Sequence, residues 1–310
     1  MKTVTIKNRK RQNKDNFCVS EKNIILAIHI PWILPILVGM FLSEGFFFNH
    51  LLYETGGIRP FFCLNEKEES KMPRFFCDQI SDTYITLTGE DASHLSRSLR
   101  VRVGEEVIVC DGACTDYVCM VESASSEAVK LLVKKKMANE NEAALPITLY
   151  QALPKGDKLD FIVQKAVELG VTRIVPVQTR FCIAKATARD FEKKRARLQK
   201  IALEAAKQCG RGVIPEVHGL LPFKEMADAL ALERGFVCYE KGGETVQTLI
   251  EQKHCGASVL VGSEGGFSAE EVHYLSELGV PCATLGKRIL RCETAPIAAL
   301  TLLLHQLGEL

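Results

Sequence analysis

The apolar and polar positions of the chain change their spacing near residue 146. Between residues 73 and about 140, short apolar runs alternate with turn residues, as in TYITLTG, EEVIVCDG, DYVCMVESAS and EAVKLLVKKK. Short strands at this spacing predict a small, mostly antiparallel β-barrel. Between the first two runs, EDASHLSRSLRVRVGE predicts one helix that carries Arg97, Arg100 and Arg102. The polar stretch KKMANENEA then predicts a linker.

From Pro146 onward the pattern predicts strands that alternate with helices. The strand ITLYQAL precedes GDKLDFIVQKAVELG, whose apolar residues from Leu159 to Leu169 recur on one helical face and end at Gly170. A long helix over ARDFEKKRARLQKIALEAAKQC follows, and then the strands GFVCYE, ASVLVG and PCATLG, with shorter helices near 244–252 and 268–279. This alternation is typical of an α/β domain on a parallel sheet, where ligands bind beyond the carboxyl ends of the strands.

Composition places the chain among ordinary globular proteins. Its 310 residues are enough for two domains with separate cores, and 47% hydrophobic with 25% charged residues is a globular balance. The twelve cysteines form no C-x-x-C pair and no Cys/His group with zinc spacing. We therefore expect reduced cysteines in a cytoplasmic protein without a metal site.

Residues 1–71 differ from the rest, because they contain the apolar segment 24–42, IILAIHIPWILPILVGMFL, after a basic stretch. Three interpretations stay open for this N-terminal extension. The segment is a membrane anchor, for which its length suffices, or it is signal-like, although no small-residue cleavage site is evident. The third is that translation has been assigned from an upstream start. Pro31 and Pro35 weaken the case for a spanning helix.

Two glycine-containing stretches follow predicted strands. In SVLVGSEGGFSAEEV the chain leaves a strand at Val261, and Ser268 and Glu271 have the spacing of a capping box at the start of a helix. Glycines here allow a ligand to approach the backbone, but a lone Gly-Gly pair is explained better by a tight turn. The G-x-G-x-x-G fingerprint is absent, which argues against a dinucleotide-dependent oxidoreductase.

The second stretch, LGKRILRCETAPIAAL, places Arg288 and Arg291 around an apolar pair. Unpaired charge is costly to bury, so these groups either pair with one another or face a ligand. We expect Thr294 or Ala295 to cap the last helix, which leaves Glu293 near the positive end of the helix dipole. Glu293 is then a dipole partner that also pairs with Arg291, or a functional carboxylate.

The two stretches, with MPRFF, LPKGDKLDFIVQKAVELGV and KIALEAAKQCGR, resemble the RsmE family of 16S ribosomal RNA (uridine-N3) methyltransferases, which belongs to the SPOUT class. The resemblance runs from Met72 to the C-terminus. Ser263 and Cys292 stand where the family usually has proline and threonine. Since chains of that family begin at the equivalent of Met72, an upstream start is the favoured interpretation of residues 1–71, and a membrane partner is expected only if the segment 24–42 is a real anchor.

The resemblance implies an α/β fold with two domains. A PUA-like RNA-binding β-barrel spans 72–142, and a SPOUT-type parallel-sheet domain with a trefoil knot spans 146–310. The implied activity is transfer of a methyl group from S-adenosylmethionine to N3 of a uridine in 16S rRNA, on the small ribosomal subunit, by a cytoplasmic homodimer. The alternative is a catalytically inert RNA-binding protein that keeps the knotted fold.

The same resemblance implies site residues. S-adenosylmethionine is expected at Leu260, Val261, Gly262, Glu264, Gly265, Leu285, Gly286, Ile289, Leu290 and Arg291. Arg291 is expected to stabilise charge on the uracil, and Glu293 either orients Arg291 or accepts the N3 proton. Contacts with RNA are expected from Arg97, Arg100, Arg102, Lys155, Lys158, Lys165 and Arg211.

Overall fold

The computed structural model describes residues 72–252 and 256–310. The predictions for residues 1–71, with the apolar segment 24–42, lie outside the described residues. Among the helices of the described ranges, none combines the length and the apolar content that crossing a bilayer requires.

The first sheet contains five strands and is mostly antiparallel, as predicted. These strands are β1 (Arg74–Phe76), β2 (Tyr84–Thr88), β3 (Glu106–Cys110), β4 (Thr115–Ala124) and β5 (Ala128–Ala138). Their order is β1-β3-β4-β5-β2, and only the β1–β3 pair is parallel. Alternate residues of every strand, such as Phe75, Ile85 and Leu131, are buried in one apolar core. The sheet therefore curves around its own core.

The helix predicted between the first two runs is shorter than expected. Helix α1 (Gly89–Ser93) continues into a π-helical turn, His94–Ser98, and Arg100 then adopts a left-handed φ of 53°. Leu95 and Val101 both pack on the barrel core. At 3.6 residues per turn, a continuous helix would point these two side chains in different directions. The prediction of one helix through Arg102 is therefore wrong, and the chain turns so that both apolar residues face the core.

The second sheet contains eight strands, and all its pairs are parallel, as predicted. Its strands are β6 (Thr148–Ala152), β7 (Arg173–Gln178), β8 (Glu216–Val217), β9 (Leu221–Pro222), β10 (Phe236–Cys238), β11 (Glu244–Thr245), β12 (Ser258–Val261) and β13 (Cys282–Thr284). The order is β11-β13-β10-β12-β6-β7-β8, and β9 also pairs with β7. The strands β12 and β6 lie at the centre, and both are almost fully buried.

Helices cover both faces of this sheet. They are α2 (Lys158–Glu168), α3 (Ala188–Cys209), α4 (Phe223–Leu232), α5 (Val246–Glu251), α6 (Ala269–Glu277) and α7 (Thr294–Leu307). Helices α2, α3, α5 and α7 share one apolar core, and α4 and α6 share the other. The predicted face of α2 is buried, and Gly170 and Gly210 follow α2 and α3 with φ of 95° and 85°. The two helix ends are thus confirmed.

The stretch predicted as a linker is an ordered junction between the two sheets. Strand β5 runs on to Ala138, and the Asn139 side-chain amide then donates to Asp116 Oδ2 (2.9 Å) and to the carbonyl of Gly210 (3.0 Å). Arg74 on β1 forms a salt bridge with Asp116 (2.6 Å) and donates to the carbonyl of Arg211 (2.8 Å). The absence of apolar periodicity there reflects these polar contacts rather than a free connection.

Candidate active site

The two glycine-containing stretches lie at the same edge of the parallel sheet. One follows β12 as loop 262–267, and the other follows β13 as loop 285–293. Strand β10 pairs with both β12 and β13, and β6 lies on the other side of β12. All strands run in parallel, so their carboxyl ends bring these loops together with the short loop 153–157 after β6.

Loop 262–267 ends in the predicted capping box. The Ser268 hydroxyl accepts from the Glu271 N–H (3.2 Å), and the Glu271 carboxylate accepts from the Ser268 N–H (2.9 Å). Glu271 also accepts from the backbone N–H of Arg180 (2.8 Å), which ties the loop after β7 to this helix start. A Cβ on Gly265 would lie 2.7 Å from the Cβ of Phe181. Close packing against the loop after β7 therefore requires this glycine.

One ammonium group joins three chain segments at this edge. Lys158, the first residue of α2, places Nζ 2.9 Å from Glu264 Oε1 and 3.2 Å from Glu293 Oε2. The same Nζ lies 3.6 Å from the sulfur of Cys292, whose thiol donates to Glu293 Oε2 (3.2 Å). Glu264 also accepts from the backbone N–H of Lys155 at 3.2 Å. The loops after β6, β12 and β13 thus meet at Lys158, which we predicted to contact RNA instead.

The cluster favours ionised carboxylates and a protonated thiol. The hydrogen bond from Cys292, followed by a backbone hydrogen bond and the pairing with Lys158, lowers the pKa of Glu293. Burial acts to raise the pKa of Glu264, but hydrogen bonds from Lys158 and from backbone N–H groups outweigh it and the pKa is lowered. Burial, with the Glu293 carboxylate nearby, raises the pKa of the Cys292 thiol to about 12. The pairing with Glu264, above all, raises the pKa of Lys158.

Arg291 does not pair with Glu293, so that prediction is wrong. The guanidinium of Arg291 is exposed, and within the described ranges it forms no ion pair or hydrogen bond. Its carbonyl accepts from the N–H groups of Thr294 and Ala295, both at 2.9 Å, which anchors the residue to the first turn of α7. Helix α7 starts at Thr294 with Glu293 in the capping position, so the prediction that Thr294 or Ala295 caps this helix is wrong, and Pro296 is buried in the first turn. The backbone of Arg291 is therefore fixed, whereas its guanidinium has no partner among the described residues.

The remaining residues predicted to bind the cofactor lie on the two loops or the strand before them. Leu260 and Val261 are buried in β12. In the loop after β13, Ile289 is 83% exposed, Leu290 is half-buried, and Gly286 has a φ of 104°. The structure brings these positions to one edge, and whether they bind a cofactor stays a prediction at this point.

Two buried polar atoms at this edge have no hydrogen-bond partner among the described residues: Gln151 Oε1 and Ser263 Oγ. Gln151, at the end of β6, is fully buried and donates through Nε2 to the carbonyls of Ala152 (3.0 Å) and Gly262 (3.2 Å). Leaving a buried polar atom unpaired costs about 1–3 kcal/mol. These atoms, which we did not predict, therefore indicate a place for a polar ligand. The only signal in the sequence is Ser263 at the usual position of a proline.

The cations predicted to contact RNA have different surroundings. Arg97, Arg100, Arg102 and Lys155 are exposed. Lys165 is paired with Glu168 at 2.8 Å.

Arg211 is only 2% exposed and is bound to Glu142, to the Val167 carbonyl and to the Val171 carbonyl. A side chain enclosed in this way cannot reach a phosphate, so the prediction that Arg211 contacts RNA is wrong. Glu142 also accepts from the N–H of Gly212 (2.8 Å), so the pair belongs to the junction between the sheets.

Within residues 72–252 and 256–310, no three His, Cys, Asp or Glu side chains gather as a metal site would require.

A curved strand domain followed by a parallel α/β domain, with loops gathered at the carboxyl edge, is the arrangement of a class of RNA methyltransferases. The model of an RNA methyltransferase domain matches residues 141–304, and that of an RNA methyltransferase PUA domain matches residues 87–134. The predicted order, a PUA-like domain and then an α/β methyltransferase domain, is thereby confirmed.

Individual relatives narrow this class. The chain is 36% identical over 251 residues to ribosomal RNA small subunit methyltransferase E of Bacillus subtilis, covering 76% of this chain and 97% of the relative. It is 30% identical to the protein of that name from Buchnera aphidicola subsp. Schizaphis graminum, over 78% of this chain and 99% of the relative. The chain belongs to the ribosomal RNA small subunit methyltransferase E family.

Solved structures agree with this assignment. The crystal structure of ribosomal RNA small subunit methyltransferase E from Neisseria gonorrhoeae, bound to S-adenosyl methionine, is 32% identical with a TM-score of 0.69. The match covers 76% of this chain and 97% of the Neisseria gonorrhoeae chain. A putative methyltransferase from Legionella pneumophila, in complex with the same cofactor, is 28% identical with a TM-score of 0.67, over 76% of this chain and 98% of its own.

Proposed function

We propose that the chain is a methyltransferase that uses S-adenosylmethionine to methylate N3 of a uridine in 16S ribosomal RNA. The observation that carries this proposal is the meeting of three loops at Lys158, together with Arg291 in one of those loops, whose head group has no partner among the described residues. The proposal is supported by the family of the chain and by the cofactor in the Neisseria gonorrhoeae relative.

The residues at the carboxyl edge fit this cofactor. The unpaired oxygens of Gln151 and Ser263 suit a ligand with polar groups, and Ile289 with Leu290 offers apolar surface suited to an adenine ring. A Cβ on Gly286 would meet nothing within 4 Å, so the backbone of that loop is accessible. We expect loops 262–267 and 285–293 to hold the cofactor chiefly through their backbone.

The transfer of a methyl group to N3 of uracil requires only a few functions of the protein's side chains. When bound, S-adenosylmethionine supplies an activated methyl group, so the chain has to position the uracil and manage the N3 proton. Arg291 places a permanent cation where it can stabilise negative charge on the uracil carbonyl oxygens. Glu293 contacts Lys158 and not Arg291, so of its two predicted roles we assign it that of proton acceptor. The lowered pKa of Glu293 keeps its carboxylate ionised, although it also makes that carboxylate a weaker base.

We further propose which residues contact RNA and where the two parts of the chain begin and end. Arg97, Arg100, Arg102 and Lys155 are exposed cations suited to RNA phosphates, so binding should weaken as salt is added. We divide the chain into a PUA-like part at 72–142 and a SPOUT part at 146–310, and we expect a trefoil knot in the latter.

We also expect a cytoplasmic homodimer. Phe161 on α2 and Leu302 on the neighbouring α7 are 44% and 41% exposed, which supports a contact between two copies through these helices. Light scattering coupled to size-exclusion chromatography measures this directly. A mass of two chains is expected, and a mass of one chain at micromolar concentration would contradict the dimer.

The experiment that tests the activity uses the full chain, S-adenosylmethionine with a labelled methyl group, and small ribosomal subunits that lack the modification. The RNA is digested to nucleosides and analysed by mass spectrometry. We expect 3-methyluridine with the unmodified chain, and a loss of about 100-fold or more with Arg291→Ala, because the charge on the uracil is no longer stabilised.

Arg189→Ala is the matched control, since Arg189 is an exposed arginine on the first turn of α3 and is not among the residues assigned to the cofactor or to RNA. Cofactor binding measured by calorimetry should persist in both variants. A chain that binds the cofactor and transfers no methyl has another substrate. A chain that binds RNA but no cofactor is the inert RNA-binding protein, and the proposal is then wrong.

A further inference from the structure

Lys158 occupies a position that neither RNA contact nor simple surface pairing explains. Its side chain is 36% exposed, and its ammonium lies between two carboxylates, Glu264 and Glu293, whose side chains are 26% and 21% exposed. The two carboxylates come from different loops, which follow strands β12 and β13. The described structure gives them this one cation in common.

We infer that Lys158 is a positioning residue, which clamps loop 262–267 to loop 285–293 by bridging Glu264 and Glu293. This inference rests on the proposed function, because that function assigns the two loops to the cofactor. Lys158 itself touches no reacting atom in this scheme. It holds the two loops together and fixes the carboxylate of Glu293, which belongs to the same loop as Arg291.

Electrostatics supports the clamp. Without the ammonium, Glu264 and Glu293 would face one another as like charges, and such carboxylates separate or take up a proton. The backbone N–H of Lys155 would still hold Glu264, but Glu293 would keep only contacts within its own loop, the Cys292 thiol and a backbone hydrogen bond. The loop after β13 is therefore the part that should move.

The pH dependence follows from the same groups. The charged or titratable groups that face Glu293 are Lys158 on α2, Cys292 in the same loop and Glu264 across Lys158. The pKa of both carboxylates is lowered in the folded chain. Their pairing with Lys158 is thus fully present above the ordinary carboxylate pKa of about 4.3 and is lost as the pH falls through the lowered values. A neutral residue in place of Lys158 removes this pairing, so the pKa of both carboxylates should rise and their protonation should occur at higher pH.

The test compares Lys158→Met and Lys158→Arg with the control Lys224→Met in the full chain. Lys224 is an exposed lysine on α4, outside the site and outside the set of cations assigned to RNA. Three quantities are measured: the affinity for S-adenosylmethionine by calorimetry, the hydrogen–deuterium exchange of peptides that cover the two loops, and the acid limb of the pH profile of methyl transfer.

For Lys158→Met we expect affinity for S-adenosylmethionine to fall about tenfold, exchange to rise in loop 285–293, and the acid limb to move to higher pH. Lys158→Arg should recover part of the affinity, because a guanidinium can also bridge two carboxylates. Lys224→Met should behave as the unmodified chain.

Unchanged affinity and unchanged exchange in Lys158→Met would overturn the inference. A rise in KM for RNA alone, with normal cofactor binding and loop exchange, would also overturn it and would restore Lys158 as an RNA contact. If the unmodified chain does not bind S-adenosylmethionine, the proposed function fails. In that case, the hydrogen–deuterium exchange of the two loops in Lys158→Met still tests whether Lys158 holds them together.

Discussion

The two edges of the parallel sheet each carry a cation and carboxylate cluster, but they differ in what they leave unpaired. At the amino edge, Glu233 accepts from the Tyr150 hydroxyl (3.0 Å) and the Ser258 hydroxyl (2.6 Å) and forms a salt bridge with Arg173. Arg173 also donates to the Thr148 hydroxyl (3.1 Å). The hydroxyls, the cation and the carboxylate therefore satisfy one another.

At the carboxyl edge, some polar groups are left without a hydrogen-bond or ion-pair partner among the described residues. Lys158, Glu264 and Glu293 pair, yet the head group of Arg291 and the buried oxygen of Gln151 have no partner within the described ranges. A closed cluster stabilises the fold, whereas unsatisfied groups at one edge indicate a site for a ligand. Substitutions at the two edges should therefore affect different properties.

The largest effect is expected from Glu293→Gln at the carboxyl edge. The amide keeps the shape of the side chain but neither accepts the N3 proton nor pairs with Lys158, so methyl transfer should fall about 100- to 10,000-fold. The rate of 3-methyluridine formation measures this, and the thermal unfolding midpoint should change little. Glu225→Gln, on the exposed side of α4, is the control. Activity retained within threefold of the unmodified chain would remove Glu293 from the mechanism.

At the amino edge, Glu233→Gln should affect stability and leave the chemistry alone. The substitution leaves Arg173 without its carboxylate and weakens the hydrogen bonds from Tyr150 and Ser258, so the free energy of unfolding should fall by about 2 kcal/mol. Urea unfolding followed by circular dichroism measures this loss. A fall in methyl transfer per folded molecule, with unchanged stability, would contradict the distinction between the two edges.

The smallest effect is expected from Ser263→Pro, which installs the residue usual in the family. It removes a buried hydroxyl without a partner and stiffens the loop, so the free energy of unfolding should change by less than about 1 kcal/mol. The Ser263 hydroxyl is one of two unpaired oxygens that suit the ligand, and one neutral hydrogen bond is worth about 1 kcal/mol, so the affinity for S-adenosylmethionine, measured by calorimetry, should fall less than tenfold. A larger loss of affinity would mean that Ser263 contributes more to binding than one such bond.

Elements with a strong pattern were predictable from the sequence. The long helix α3 ends at Gly210, and the capping box of Ser268 and Glu271 begins α6 where expected. Their signals are local, because a periodic face and a cap lie within one stretch of chain. The two-residue strands β8 and β9 and the helix α4 were not predicted. The two strands are too short to carry a period, and for α4 the capping position is Pro222, which offers no side-chain cap.

The partners of individual charges could not be predicted. Arg211 and Arg291 both lie in segments that match the family, yet one is buried against Glu142 and the other is exposed. Lys158 and Glu293 are brought together only by the strand order, which local patterns do not contain. The sequence therefore located the two loops but not the cation that joins them.

The central claim is that the carboxyl edge between loops 262–267 and 285–293 is the cofactor site. The most direct test is a crystal structure of the full chain with S-adenosylhomocysteine. We predict the ligand between these two loops, with Lys158 still bridging Glu264 and Glu293 and with Arg291 beside the position of the methyl group. Ligand bound elsewhere on the protein, with both loops as they are here, would contradict the claim.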